Sequence, residues 1–266
     1  MKTLMNMLVS MLVLTCLAAA ADASSIALGN EITIYDGNGG TLSENNETEP
    51  GMVNSQAWDL EGFFLRGTSL YMVGGFDFVN GASGSGHTFT SGDIFIDVDR
   101  NAQYGDIHSA TNGNVITTAT NGYDYVLDLE FSSSTYDLVQ IIAGTEVITS
   151  YYKENQGSNP WQYSSKGKIL GSGFFSYNPA DAVGEASEFF DDGDIHNVVM
   201  VDLSLLLMNI THLDTEMLFH FTMGCGNDNL MGRGTPTPNP EPATMILLGF
   251  GLLGLAGLGR KRLKRK

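Results

Sequence analysis

The chain is poor in the features that staple small exported domains or mark enzymes. It has two cysteines, seven prolines, two tryptophans and 13 lysines and arginines in 266 residues. One cysteine, Cys16, lies in the N-terminal apolar run, which leaves Cys225 alone in the rest of the chain. A single thiol excludes an intramolecular disulfide, and a buried, inert Cys is its commoner fate. The pattern G-x-S-x-G is missing, as are H-E-x-x-H, the P-loop and the dinucleotide fingerprint. The five histidines are scattered, and no spacing selects a carboxylate pair of the glycosidase kind. No enzyme is expected. Basic residues are scarcest where they would matter for polyanions. One of the 13 falls in the leader and six in the C-terminal tail, leaving six. Of the 30 Asp and Glu, only Asp22 and Glu241 lie outside residues 24–234, so that body carries about −22. Such a surface repels nucleic acid and anionic lipid. It suits divalent cations, or solubility outside the cell.

The two ends are specific. Lys2 supplies a positive start, Leu4 to Leu17 an apolar core, and Ala21-Asp22-Ala23 a cleavage site before Ser24. That is the order of a secretory signal peptide over residues 1–23. At the other end, residues 235–242 read TPTPNPEP, an extended, exposed connector. Ala243 to Leu258 are uncharged and apolar, and residues 243–259 are read as a transmembrane helix. The apolar run is short for a span, and Gly249, Gly251, Gly254 and Gly257 thin it. Residues 260–266 form a basic cytoplasmic tail. Its Arg260, Lys261, Arg262, Lys264, Arg265 and Lys266 orient the helix and place the body across the membrane.

Extended motif, short apolar helix and terminal basic cluster, in that order, resemble the PEP-CTERM sorting signal. Pro240, Glu241 and Pro242 match its motif residue by residue. The resemblance implies an exosortase as partner: a membrane cysteine peptidase that cuts near the motif and passes the protein outward. It implies bacteria that make exopolysaccharide, and a location on the inner membrane, with a periplasmic domain, before processing. The cell surface or the extracellular matrix follows.

Residues 24–234 make one β-rich ectodomain. Short runs of Val, Ile, Phe, Tyr and Thr recur between Gly, Asn, Asp and Ser, and no long helical pattern interrupts them. Strands are expected near 31–35, 57–65, 69–78, 92–98, 123–131, 137–143, 147–152, 167–177, 196–206 and 217–222. Gly67-Thr68 forms a tight hairpin between Phe63, Leu65 and Leu70, Met72. The predicted class is all-β, an antiparallel two-sheet sandwich or jelly roll. Residues 38–55 read as an exposed loop. The strings WDLEGFFL (58–65), SGDIFIDVD (91–99), SNPWQY (158–163) and FTMGCGNDNLMGRG (221–234) resemble a recurring ectodomain of PEP-CTERM surface proteins that ends in a CGND segment.

Three clusters carry candidate chemistry. Asp97, Asp99 and Asn101 stand at alternate positions after a strand, flanked by Asp93 and Asp106. Calcium takes six to eight oxygens, which such a loop supplies. The sixth and twelfth positions are Ala102 and His108, so the loop is not an EF-hand. The plain reading is a strand ending in a polar turn. Asp191, Asp192 and Asp194 read as a turn, as does Cys225-Gly226-Asn227-Asp228. One Cys with His220 makes no zinc site. Trp161 and Tyr163, near Tyr151 and Tyr152, offer aromatic faces for sugar rings, or belong to the core. The expected function is a non-enzymatic surface or matrix protein associated with exopolysaccharide. The alternatives are a calcium-assisted carbohydrate-binding module and, behind it, a glycoside hydrolase.

Overall fold

The computed structural model describes residues 26–34, 52–102, 113–117, 122–152, 158–179, 195–210 and 216–237. The leader, the connector beyond residue 237, the apolar run and the basic tail lie outside them, as do Asp106, His108 and the Asp191–Asp194 cluster. Among the described residues no helix is long and apolar enough to cross a membrane.

The strands follow the two-residue alternation of the sequence. They are β1 (Asn30–Glu31), β2 (Leu60–Arg66), β3 (Ser69–Gly74), β4 (Ala82–Gly84), β5 (His87–Phe89), β6 (Ile94–Asp97), β7 (Val115–Thr117) and β8 (Tyr125–Glu130). Then come β9 (Thr135–Gln140), β10 (Glu146–Ile148), β11 (Gln162–Ser165), β12 (Lys168–Asn178), β13 (Asn197–Asp202), β14 (Met217–Thr222) and β15 (Asn229–Gly234). Every paired neighbour is antiparallel.

Ten of the strands form one sheet in the order β1-β2-β3-β13-β12-β9-β8-β6-β14-β15. Its two edges are tied. The Ile32 N–H donates to the Phe63 carbonyl at 2.8 Å, and Arg233 N–H to the Ile32 carbonyl at 2.7 Å. Ile34 N–H reaches the Met231 carbonyl at 2.8 Å, and Thr33 bridges Gly232. The N-terminal segment thus fills the gap between β2 and β15, and both edges find partners. The antiparallel all-β expectation stands. The ten strands fall into two groups, β1-β2-β3-β13 and β9-β8-β6-β14-β15, joined through β12. Strand β12 makes the change of direction: Lys168 to Phe174 pair with β9, and Phe175 to Asn178 with β13.

Alternation places one set of side chains inside. Phe63, Leu65, Leu70, Met72, Val199 and Val201 meet Ile94, Ile96, Leu127, Leu138, Phe219 and Phe221 in one core. The rings of Phe63 and Phe219 lie 6.1 Å apart, and those of Phe78 and Phe221 5.7 Å. Each fully buried Phe or Leu contributes about 1.5–3 kcal/mol relative to exposure. The outer face is covered in two places. Leu28, Phe64, Val73 and Val198 make one small cluster. Strands β7, β10 and β11 form a three-stranded sheet whose Val147 packs with Phe95, Tyr123, Val126 and Val139.

Three expectations change. Residues 56–58 are a 3-10 turn, so β2 begins at Leu60 and not at Ala57. The strand expected to run to Leu206 ends at Asp202, and Ser204–Leu207 form a short helix, α1. Asp202 accepts from the Ser204 N–H at 3.0 Å and its Oγ at 2.7 Å, which turns the chain. The segment after CGND, where no strand was expected, is strand β15, so the expected turn at CGND closes a hairpin.

Candidate functional site

The acidic loop leaves β6 at Asp97. One oxygen of this buried carboxylate accepts from the N–H groups of Asp99 (2.9 Å) and Arg100 (2.7 Å), and the other from Ala102 (2.7 Å). Three backbone donors therefore bend the chain around Asp97. Asp99 in turn accepts from the side-chain amide of Asn101 at 2.7 Å. The pairing of Ile96 with Tyr125 brings Asp124 alongside. Its carboxylate accepts from the Val98 N–H at 2.8 Å. One carboxylate oxygen each of Asp97, Asp99 and Asp124 lie within 4.8 Å of one another. Burial first, then the charges of Asp99 and Asp97, raise the Asp124 carboxyl above its ordinary range.

The group differs from the set drawn from spacing. Asn101 is present, and its Nδ2–H donates to Asp99. Asp106 is outside the described residues. Asp93 is elsewhere: fully buried, it accepts from Leu129 N–H at 2.9 Å and Tyr163 N–H at 2.7 Å, tying β11 to the main sheet. Asp124 was missed because it is 25 residues beyond Asp99 in sequence and joins it only through the β6–β8 register. Three hard oxygen donors fit calcium in kind and supply part of its shell. The donors to Asp97 show that the turn also holds itself without a cation.

The aromatic candidates have structural work. Trp161 is half-buried: a Cβ at Gly92 would stand 2.6 Å from its Cδ1, and one at Gly224 3.0 Å from its Cζ2. Its indole N–H is buried with no partner among the described residues. The Tyr163 ring packs on the outer core, and its hydroxyl accepts from Gly167 N–H at 3.0 Å. Neither ring stands free as a platform. A second aromatic group lies around Phe89. Phe89 is surrounded by Trp58, His87, Tyr151 and Tyr152 at centroid distances of 6.1, 6.0, 5.8 and 5.8 Å. Of these, His87 and Tyr151 are exposed. Only Tyr151 and Tyr152 stood out in the sequence; His87 lies in a Gly/Ser-rich stretch that reads as loop.

The CGND turn organises this end of the molecule. Gly226 takes φ +69° and its N–H bonds the Met223 carbonyl at 2.8 Å. The Asn227 side chain bonds both backbone groups of Val53, at 2.9 and 3.0 Å, and Asp228 accepts from Leu60 N–H at 2.6 Å. Cys225 is fully buried, and burial pushes its thiol up to about 12. His220 is buried too; its Nε2 donates to the Pro160 carbonyl at 3.0 Å. Burial lowers the His220 imidazole to about 4 and keeps it neutral.

Residues 240–262 match the PEP-CTERM protein-sorting motif. The chain is accordingly an exported protein, anchored in the membrane before exosortase processes it. No curated protein matches it, and no solved structure does.

Proposed function

We propose that the β-rich body, residues 24–234, is a non-enzymatic component of the cell surface or extracellular matrix that associates with exopolysaccharide once exosortase has released it. The observation that carries this reading is the sorting motif at 240–262, joined to a body of about −22 charge that repels nucleic acid and anionic lipid. The buried chemistry supports the non-enzymatic part. A thiol held near 12 and an imidazole held near 4 are poor nucleophile and base at neutral pH. A second reading, a calcium-assisted carbohydrate-binding module, is favoured by the Asp97–Asp99–Asp124 grouping.

The test is co-sedimentation of the full chain with exopolysaccharide from the producing cells, in calcium and then in EDTA. Binding in both buffers supports the first reading. Binding lost in EDTA and in Asp97→Asn selects the second. Failure to co-sediment in either buffer sinks both.

A further inference from the structure

The aromatic surface around Phe89 is built from three segments that meet on the CGND turn. The β4–β5 hairpin supplies His87 and Phe89. Its turn residues, Ser85 and Gly86, both take positive φ, the form that matches strand twist. Tyr151 and Tyr152 follow β10. Their N–H groups donate to the Gly224 and Cys225 carbonyls at 2.8 and 3.2 Å, while Gly224 N–H donates to the Thr90 carbonyl at 2.9 Å. The turn therefore holds both walls by backbone bonds. His87 and Tyr151 lie 5.6 Å apart at 39°, and Tyr151 and Tyr152 5.1 Å apart at 85°.

The segments that build this surface carry little charge for so acidic a body. Residues 81–92, 147–152 and 221–227 contain no Asp, Glu, Lys or Arg, on a body carrying about −22. Hydroxyls edge it instead: Ser83, Ser85, Thr88 and Thr90 are exposed, and the Ser83 and Thr88 hydroxyls bond each other at 2.9 Å. Ring faces beside hydroxyls, without fixed charge, complement a ligand with apolar ring faces and a hydroxyl rim. Among the described residues of these segments, a charged polymer finds no fixed charge to pair with.

We infer that His87, Tyr151 and Tyr152, held over Phe89 by the CGND turn, form a binding surface for the sugar rings of a neutral polysaccharide. This rests on the polysaccharide reading above and gives it a place. Backbone anchoring of both walls keeps the ordering cost of binding low. Trp161 and Tyr163 then serve the framework, not the ligand.

The experiment is affinity electrophoresis of the full chain in detergent. The gels contain a neutral glucan, a neutral galactomannan, the exopolysaccharide of the producing cells, or alginate. The expected result is retardation by at least one neutral polymer and none by alginate. Tyr151→Ala and His87→Ala should each weaken binding about tenfold, with Tyr151→Phe close to wild type, as loss of one stacking ring predicts. Phe174→Ala removes an aromatic ring that is 79% exposed but lies on β12, away from this surface, and should change nothing. Unchanged thermal unfolding of the variants shows that the fold is intact. Retardation that survives Tyr151→Ala and His87→Ala overturns this surface and leaves the polysaccharide reading standing. Retardation by alginate alone overturns the neutral-ligand assignment. No retardation by any polymer, the native exopolysaccharide included, overturns both.

Discussion

Asp93 ties the small sheet to the large one, and its titration should be visible in the stability of the whole fold. The carboxyl is fully buried, and the β6–β8 register sets Asp128 opposite it. Burial first, then the Asp128 charge, raise it well above its ordinary value of 3.8; the N–H groups of Leu129 and Tyr163 pull the other way. A carboxyl with a higher pKa in the folded state binds its proton more tightly there than in the unfolded chain. Its contribution to stability is therefore complete below the unfolded value. It is lost as pH rises through the folded value, by up to about 1.4 kcal/mol per pH unit. Asp128 and Asp124, also raised, add with the same sign. Asp93→Asn abolishes the Asp93 part. Its amide accepts from one N–H and turns a donor towards the other, a pH-independent cost of about 1–3 kcal/mol. The substituted protein should be the less stable at about pH 4, and the gap should narrow as pH rises towards 7. Urea unfolding of both proteins across this range, followed by tryptophan fluorescence, measures the gap. A constant gap would show that Asp93 does not titrate differently on folding. A gap that widens with pH would show that the two N–H groups outweigh burial, and would refute the reasoning.

Two further predictions concern the CGND turn. Gly226→Ala places a Cβ 2.9 Å from the Cβ atoms of Ser150 and Ser158 at a left-handed φ, so a loss of about 2–4 kcal/mol is expected. Calorimetry should show the transition falling by several degrees; an unchanged transition would mean the turn relaxes freely. Asn227→Ala removes both bonds to Val53, a cost of about 1–3 kcal/mol. Amide exchange at residues 52–54 should speed up selectively, and unchanged protection there would contradict the anchoring role.

Much of the fold was legible because burial on one face of a strand writes itself as alternation. Strand β14 matches its expected bounds, and the Gly67–Thr68 hairpin pairs Leu65 with Leu70 and Phe63 with Met72. Four of the missed strands, β4, β5, β7 and β11, are only three or four residues long and mostly unburied, so they carry no such pattern; the fifth, β15, is buried but interrupted by Gly232 and Gly234. The acidic loop was half legible. Asp97 and Asp99 are neighbours in sequence and in space, whereas Asp124 reaches them by register alone. Asp93, just before β6, and Asp97, at its end, part company because β11 covers the first and solvent reaches the loop after the second.

By itself the sequence determined the destination of the chain and its chemical character. A sorting motif and a charge balance are local or additive, and no folding is needed to read them. The strand pattern is local in the same sense, since each residue reports its own face. What only the tertiary structure decided is which strands are neighbours. The tied edges at Ile32–Ile34, the Asp124 partner of Asp97 and the rings gathered over Phe89 all join residues far apart in the chain. Those contacts are selected by the packing of one shared core, a cooperative property of the whole sheet that no single segment encodes.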